Sequence, residues 1–486
     1  MAFFPFGAYA PDVTDYQSKT VVYLNNVVPR ADGYGPVQAA SAFSGALAAA
    51  CRGFFKAINT DGTITFFAAT STRIYKMSNT DYTWSDVSLG GSAYTALSST
   101  DNWQFVQFGN FVIAVQANVA PQVFDLTSSS AFAALGGSPP QARYISIVGR
   151  FVVLSGLLNN PYRIQWSGLN ATTTWTSGTN SSDYQDLPDG GIVRGVAGGE
   201  FGYIFQDTAI RRMVYAPGSP VIFQIERISD DRGLYAPYSI VRSGDRVFFL
   251  SSHGFMRIDP GTYPTPVGTE RVDRTFFADV DRGNLQLLIG ASDPKYARVF
   301  WAYKSNSGTT GQFDKLICYN YVLDKWSPIT MSGEYFGSMS QPGTTLENLD
   351  SISTSIDALT ASFDSYATSV SPEVALFNTS HVMCFLRGDN LEATLETPAS
   401  SADNNRIFVQ GMRAITDANT GYGKVGCRER WGDTETFTDE QAMDTIGTIP
   451  ARASTRFARG RLRIPSGTSW TFASGVEAEY VGDGER

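Results

Sequence analysis

The sequence has few of the residues, and none of the motifs, on which most enzymes rely. Its 486 residues include two histidines, His253 and His381, which lie 128 residues apart. No HExxH pair, phosphate-binding P-loop or GxSxG nucleophile elbow occurs. Paired carboxylates are the remaining route to hydrolysis, but none stands in a recognisable signature. The carboxylates weighed for this role are Asp230, Asp231, Asp245, Asp273 and Asp279. We therefore expect no enzymatic activity, no cofactor and no bound metal.

Cysteine, positive charge and long apolar runs are also scarce. The four cysteines form no CxxC pair, so a zinc or dithiol redox site is not expected. The formal net charge of −9 argues against sequence-independent clamping of nucleic acid over a large surface, but not against DNA that slides through a channel. No run approaches the length of about 18 apolar residues that spans a membrane, and the start lacks the features of a signal peptide. We expect a protein that folds in the cytoplasm without a transmembrane segment.

What the chain has in abundance is a repeated phrase: a turn, an apolar run, a polar break and an aromatic-rich run. The steps between successive starts are 47, 40, 50, 45 and 53 residues. A self-similar unit of roughly 40–50 residues made of short strands is typical of a β-propeller blade. We therefore predict an all-β fold, with a β-propeller of about six to seven blades plus a smaller β-rich platform or sandwich domain. The phrase starts at Gly62, Gly109, Gly149, Gly199, Gly244 and Ala297.

The same pattern divides the chain into four parts. Residues 1–50 are interpreted as an arm that contributes to the platform, with Thr20–Arg30 as one strand and the alanine-rich run up to Cys51 as a loop or one helical turn. Residues 51–340 carry the propeller repeat, and residues 369–486 return to short strands. This last part is either a separate sandwich or the completion of the ring. Six tryptophans are predicted to lie in the core between blades, namely Trp84, Trp103, Trp166, Trp175, Trp301 and Trp326.

Residues 341–368 interrupt the β pattern with a segment rich in serine and threonine. Apolar residues recur there at intervals of three and four, which is the spacing of one helix face. Thr344 and Glu347 have the spacing of a capping box. The pattern predicts a short helix near 345–365, and a surface or subunit contact for this helix is a hypothesis.

The sharpest charge feature is a row of arginines near the C-terminus. Arg456 precedes Arg459, Arg461 and Arg463, and the last three alternate along a predicted strand. A strand has a period of two, so these three guanidinium groups share one face. Because adjacent like charges repel, such a row tends to meet carboxylates or phosphates. Three interpretations stay open: a solvated edge strand guarded by charge, a contact with another subunit or partner protein, and a surface that faces DNA. The four arginines are our candidate interface residues.

Three segments of the chain resemble those of one known protein family. They are YLNNVVPRADGYGP (Tyr23–Pro36), DDRGLYAPYSIVRSGDRVFFLSSHGFMRID (Asp230–Asp259) and RFARGRLRIPSGTSWTFASGVEAEY (Arg456–Tyr480). With the blade repeat between them, the chain resembles the tail nozzle or tail-hub proteins of tailed bacteriophages. These are the tail tubular or packaged-DNA stabilisation proteins best known from short-tailed phages.

The resemblance implies a homo-oligomeric ring, usually a hexamer, below the portal and its adaptor in the virion tail. Each subunit in that family combines a propeller with a β-rich platform. The axial channel of the ring holds the leading end of the packaged double-stranded DNA, without sequence specificity, and conducts it during genome ejection. The propellers form the outer wall and dock tail fibres or spikes. No motif in this sequence matches a channel residue by position, so none is assigned.

Two other functions are consistent with the residues alone. One is a carbohydrate-binding or carbohydrate-cleaving propeller, which exposed tryptophans and paired carboxylates on one rim would favour. The other is a monomeric propeller that serves as a scaffold for protein partners.

Overall fold

The computed structural model describes residues 2–16, 18–219, 221–341, 371–401 and 405–482. Short strands dominate these residues, and α1 (Asp273–Asp279) is the one α-helix among them. The first strands are β1 (Ala2–Pro5), β2 (Ala8–Tyr9), β3 (Thr20–Val21), β4 (Leu24–Asn25), β5 (Val27–Arg30), β6 (Gly33–Pro36) and β7 (Gln38–Ala46). Short 3-10 helices occupy Leu89–Gly91, Pro188–Gly190, Pro237–Ser239, Leu285–Leu287 and Pro294–Tyr296. No helix of the described residues has the length and apolar character needed to cross a membrane.

Seven antiparallel sheets of four strands form the blades of a propeller, and the first strand of each blade lies at the common axis. Blade 1 contains β8 (Gly53–Ile58), β9 (Ile64–Ala69), β10 (Ile74–Met77) and β11 (Trp84–Asp86). Blade 2 contains β12 (Gln104–Phe108), β13 (Phe111–Gln116), β14 (Val119–Asp125) and β15 (Ala133–Ala134). Blade 3 contains β16 (Ala142–Val148), β17 (Phe151–Leu157), β18 (Arg163–Trp166) and β19 (Asp183–Asp186).

The next three blades follow in chain order. Blade 4 contains β20 (Val193–Ala197), β21 (Gly202–Gln206), β22 (Ile210–Tyr215) and β23 (Phe223–Ser229). Blade 5 contains β24 (Val241–Ser243), β25 (Arg246–Ser251), β26 (Gly254–Ile258) and β27 (Thr265–Pro266). Blade 6 contains β28 (Ile289–Asp293), β29 (Arg298–Tyr303), β30 (Phe313–Asn320) and β31 (Lys325–Gly333). The all-β propeller predicted from the repeat is confirmed.

Blade 7 closes the ring with strands from both ends of the propeller sequence. It contains β32 (Tyr335–Gln341), β33 (Ser371–Phe377), β34 (Val382–Asn390) and, as its outermost strand, β7. The register pairs Cys384 with Ala42 and Val382 with Ala46. This closure leaves no open blade at the seam of the ring. The propeller therefore extends beyond the expected interval 51–340 in both directions, and the alanine-rich run is a strand instead of a loop or helical turn.

The core of the propeller lies between successive blades. The continuous apolar runs of β17 and β25 are buried on both faces, as their sequences indicate. Trp103, Trp166, Trp175, Trp301 and Trp326 are buried between blades, whereas Trp84 is half-buried against Phe377. Since Trp84 belongs to blade 1 and Phe377 to blade 7, all six tryptophans lie between blades as predicted, and Trp84 is only partly buried there.

Twelve of the remaining strands form a β-sandwich platform of two six-stranded sheets, and β2 and β3 pair in parallel as a separate two-stranded sheet. Its later strands are β35 (Ala393–Glu396), β36 (Ile407–Thr416), β37 (Tyr422–Arg428), β38 (Thr436–Phe437), β39 (Gln441–Ala442), β40 (Thr448–Thr455), β41 (Phe457–Ile464) and β42 (Ala473–Gly482). One sheet has the order β40-β36-β42-β6-β5, with β1 also paired to β42. The other has the order β38-β37-β41-β35-β4, with β39 also paired to β37. Buried residues from both sheets, such as Met412 and Leu462, meet in one apolar core.

The N-terminal arm contributes strands to both sheets of the platform, but not as the expected single strand. Thr20–Arg30 is divided into β3, β4 and β5, and Asn26 between the last two has a φ of 55°. Few residues other than glycine adopt this left-handed conformation, and asparagine is among those that do. The chain therefore turns at Asn26 and places β4 in one sheet and β5 in the other.

Asn26 also joins the platform to the propeller. Its side-chain amide donates to the carbonyl of Glu392 in the platform at 2.8 Å. Its Oδ1 accepts from the backbone N–H of Thr330, on the outermost strand of blade 6, at 2.8 Å. Strands β4 and β5 pack against the same blade. One N-terminal segment thus connects the two domains.

The segment 342–370 connects β32 to β33, at the point where Gln341 pairs with Ser371. In the other blades the equivalent connection is short, for example 109–110 in blade 2 and 149–150 in blade 3. The helix expected near 345–365 lies outside the described residues.

Candidate interaction surfaces

The predicted arginine row lies on β41, a strand in the middle of the second platform sheet. β41 pairs with β37 on one side and with β35 on the other. The interpretation as a solvated edge strand is therefore wrong, since both edges of β41 are hydrogen-bonded to neighbours. Leu462 and Ile464 point into the sandwich core, so the alternate positions Arg459, Arg461 and Arg463 share the opposite face.

Arg459 is the most deeply buried arginine of the row. Its guanidinium lies 2.7 Å from Asp15, 2.7 Å from Glu396 and 3.3 Å from Glu435. Burial lowers the pKa of Arg459, but the hydrogen bond to Glu396 and the charges of Asp15 and Glu435 raise it by more. The guanidinium is therefore a fixed positive charge that joins the N-terminal arm to two strands of the platform.

Arg461 and Arg463 also contact carboxylates of their own chain. The Arg461 Nε donates to Glu396 at 2.6 Å. Arg463 contacts Glu392 at 2.9 Å and Glu440 at 2.6 Å, and the hydrogen bond to Glu440 raises the pKa of Arg463. These positive charges are neutralised within the subunit, and none of them is free to face the phosphates of DNA.

Arg456 is the member of the row with the weakest internal contact. Its closest carboxylate is Glu429 at 3.8 Å, and 37% of its side chain is exposed. It stands next to an aromatic cluster formed by Tyr16, Trp431 and Phe457, whose ring centroids are 5.1–5.7 Å apart. Tyr16 and Trp431 are 39% and 37% exposed. A contact of Arg456 with another subunit stays a prediction, and this aromatic cluster extends the surface available for it.

Sequence reasoning missed the aromatic cluster because its members come from three distant parts of the chain. Tyr16 belongs to the N-terminal arm, Trp431 to the loop after β37, and Phe457 to the start of β41. No periodic pattern connects them. Phe457 alternates with Arg459 along β41 and so shares the face of the arginine row, and tertiary packing alone brings the other two rings to it.

A second surface is the cavity around the propeller axis. The first strands of the blades enclose a cavity of about 620 Å³. Its wall includes the stacked rings of Phe55 and Phe105, whose centroids are 6.0 Å apart, and the side chains of Lys56, Gln107 and Met339. Burial lowers the pKa of the Lys56 ammonium group.

Hydrogen bonds close one end of this cavity. Asn102 precedes blade 2, and its backbone N–H donates to the hydroxyl of Tyr238, in the segment before blade 5, at 2.8 Å. The Asn102 amide donates across the axis to the carbonyl of Gln286, before blade 6, at 2.7 Å. Arg52 of blade 1 donates to Asn102 Oδ1 at 3.0 Å. Because the bonds to Tyr238 and Gln286 connect blades that are not neighbours, they cross the axis and form its floor.

The carboxylates weighed for hydrolysis are held by other groups instead of facing one another. Asp230, Asp231 and Asp245 form ion pairs with nearby arginines. Asp279 accepts from Tyr303 at 3.0 Å and pairs with Lys315 at 2.8 Å. Asp273 is buried and accepts from the backbone N–H of Phe255 at 3.1 Å. Each of these contacts stabilises a turn, a strand or a loop.

The two histidines likewise lie in separate parts of the ring. His253 is exposed in a hairpin of blade 5, where Nδ1 lies 3.2 Å from the hydroxyl of Ser252. His381 lies in the hairpin of blade 7 and contacts Glu334 at 2.7 Å. The other Glu334 oxygen accepts from the N–H of Cys51 at 3.1 Å, so this pair links blade 7 to the start of blade 1.

Comparisons with known proteins show similarity at the level of the fold. No family model matches the chain, and no curated protein matches it. The β-propeller domain of Cps50 (Swd1) from Myceliophteria thermophila is 11% identical, over 51% of this chain and 79% of that one, with a TM-score of 0.33. YCF48 from Cyanidioschyzon merolae is 8% identical, over 42% and 68%, with a TM-score of 0.29. Hsv2 from Kluyvelomyces marxianus is 8% identical, over 59% and 98%, with a TM-score of 0.29.

Proposed function

We propose that this chain is a structural subunit of a closed homo-oligomeric ring, most simply a hexamer, in the tail of a bacteriophage. The ring would lie below the portal and its adaptor, hold the packaged DNA and conduct it during ejection. The observation that carries this proposal is the joining of a seven-bladed propeller to a β-sandwich platform by one N-terminal segment. A propeller with a β-rich platform is the subunit architecture of the nozzle family that the sequence resembles.

The closed propeller axis bears on the path of the DNA. Duplex DNA is about 20 Å wide, and its grooves alone are about 6 and 12 Å across. Side chains bridge the propeller axis at Asn102 and Tyr238, so this axis is not a passage for a duplex. The DNA channel of the proposed ring therefore lies between subunits, around the symmetry axis of the assembly.

The charge distribution supports a channel that holds DNA weakly. The chain carries −9 overall, and three of its clustered arginines are paired with carboxylates of the same subunit. A wall with few free cations releases few counterions from DNA, so it attracts the duplex only weakly. Weak attraction suits a wall past which a genome must slide.

Purified virions provide the test of this proposed function. We expect the chain in tail particles, in a ring stoichiometry relative to the portal, and we expect loss of infectious particles when its gene is deleted. Its absence from virions of a phage that encodes it would overturn the proposal.

A propeller scaffold for protein partners is the second candidate. The observation in its favour is the axial cavity, which is closed at one end and lined by aromatic, amide and cationic side chains at the other. Analytical ultracentrifugation separates the two candidates, provided that it is run with and without a portal–adaptor complex. A monomer under both conditions would favour the scaffold.

A further inference from the structure

A cleft at the junction of the two domains is more positive than the chain around it. This junction cleft encloses about 510 Å³ between blades 6 and 7, the N-terminal strands and the Trp470 segment of the platform. Its charged lining residues comprise four cations and two carboxylates, in a chain whose net charge is −9. They are Arg30, Lys295, Arg298, Arg387, Asp293 and Glu373.

Two of these cations form no direct ion pair among the described residues, and the carboxylate whose charge they act on is Asp293. Arg387 pairs with Glu373 at 2.6 Å, but Lys295 and Arg298 form no ion pair. Both stand beside the ring of Tyr296, with charged groups 5.2 Å and 4.8 Å from its centroid. The Arg298 Nε is buried and donates no hydrogen bond. Such a guanidinium is prepared to bind a carboxylate or a phosphate.

The wall of the cleft also holds two buried polar atoms without partners. Trp470 is 3% exposed, and its indole Nε1 donates to no acceptor. Asp293 is 9% exposed, and its Oδ1 accepts from no donor. Buried polar groups are almost always hydrogen-bonded in native proteins, so each unpaired group needs an explanation. The residues that line the cleft thus include two unused donors and one unused acceptor.

We propose that the junction cleft binds an acidic peptide segment of another protein chain. A carboxylate of the segment would pair with Arg298 and Lys295, and a backbone carbonyl would accept from the Trp470 indole. A backbone N–H of the same segment would donate to Asp293. A phosphate group of DNA has acceptors only and cannot donate to Asp293, whereas a peptide supplies backbone N–H donors, which is why the mixed wall favours a peptide. This proposal does not depend on a ring, because it concerns one subunit and one ligand.

Fluorine NMR of the full chain labelled with 5-fluorotryptophan tests this binding. The chain has eight tryptophans, and Trp470→Phe identifies the resonance of Trp470 by its loss. The probe is an acetylated and amidated glycine peptide that carries one aspartate and one glutamate. Its matched control carries asparagine and glutamine, and inorganic pyrophosphate is the third ligand.

We expect the acidic peptide to shift the Trp470 resonance saturably, and the amide peptide to leave it unchanged. The double variant Lys295→Gln, Arg298→Gln should bind the acidic peptide about tenfold or more weakly, which is a loss of about 1.4 kcal/mol in binding free energy. Arg282→Gln, an exposed arginine outside the cleft, should not. The remaining tryptophan resonances report whether each variant is folded.

Two results would overturn the proposal. One is a Trp470 resonance that the acidic peptide does not move at millimolar concentration. The other is a larger effect of pyrophosphate than of the peptide, which would make the cleft an oxyanion site. Either result can occur whether or not the protein assembles into rings.

Discussion

Arg459 and Asp15 form a salt bridge of 2.7 Å in which each side chain is only 3% exposed. The two residues are far apart in sequence, and their contact holds the N-terminal arm against the second platform sheet. Glu396 and Glu435 complete the surroundings of the guanidinium. In the sequence, the arginine row suggests an outward-facing surface. In the structure, Arg459 is buried, and its ion pairs hold the N-terminal arm and the platform strands together.

Replacing Arg459 by methionine should destabilise the protein strongly. The change leaves Asp15 buried without its cation, whereas Glu396 keeps Arg461, and breaking a buried pair in this way costs about 3–5 kcal/mol. Urea denaturation of the two proteins measures the difference. Arg456→Met is the matched control, since its ion pair is longer and exposed, and it should change stability by less than about 0.5 kcal/mol. Equal losses of unfolding free energy in the two variants would show that the ion pairs of Arg459 do not stabilise the fold.

Asn26→Gly should weaken the connection between propeller and platform without straining the backbone. Glycine accepts the φ of 55° at this position, so the variant removes only the two side-chain hydrogen bonds to Glu392 and Thr330. We expect a loss of about 1–3 kcal/mol and a thermal unfolding transition that separates into two steps. Asn118→Gly, at an exposed loop amide, is the control. A single unchanged transition for Asn26→Gly would mean that other contacts carry the connection.

Tyr238→Phe tests the floor of the axial cavity. Removal of the hydroxyl leaves the backbone N–H of Asn102 buried without its acceptor, which costs about 1–3 kcal/mol. Hydrogen exchange at the amide of Asn102 should accelerate accordingly. Tyr263→Phe, at a tyrosine that is 71% exposed, should leave both quantities unchanged. Unaltered protection of Asn102 in Tyr238→Phe would contradict the hydrogen bonds that close the axis.

Asp273 should make the protein lose stability as the pH rises from about 4 to about 6. Burial raises the pKa of this carboxyl from 3.8 to about 6 in the folded state, with the charge of Asp12 adding to the effect. In this window the folded protein keeps a proton that the unfolded chain has lost, so the folded state becomes less favourable as the pH increases. Asp273→Asn removes the titration. The stability of the variant relative to the natural protein should therefore rise across this window and level off above it, and a constant difference would contradict the assignment.

The blades were predictable because each is a local unit with its own pattern. The turn at Gly149 and the continuous apolar run that follows it predict a hairpin with one strand buried on both faces, and β16 and β17 form that hairpin. Strand β7 was not predictable from its own residues, since its alanines and serines have little preference for strands. It becomes a strand because β34 offers a free edge at the seam of the ring.

For the arginine row as well, the sequence predicts the local arrangement but not the residues that it contacts. The period of two correctly places Arg459, Arg461 and Arg463 on one face. Their partners could not be predicted, because Asp15, Glu396 and Glu435 arrive from the N-terminal arm and from two other strands or loops. Whether such a row forms ion pairs within its own subunit or faces a partner depends on tertiary contacts. These contacts produce no periodic pattern in the sequence.

We propose above that this subunit builds a ring whose DNA channel runs between subunits. Negative-stain electron microscopy of the purified protein, alone and with a portal–adaptor complex, tests it most directly. We expect closed rings in at least one sample, with propellers at the periphery and an axial hole at least as wide as duplex DNA, about 20 Å. Compact single particles in both samples would contradict it, as would rings too narrow at the axis to admit a duplex.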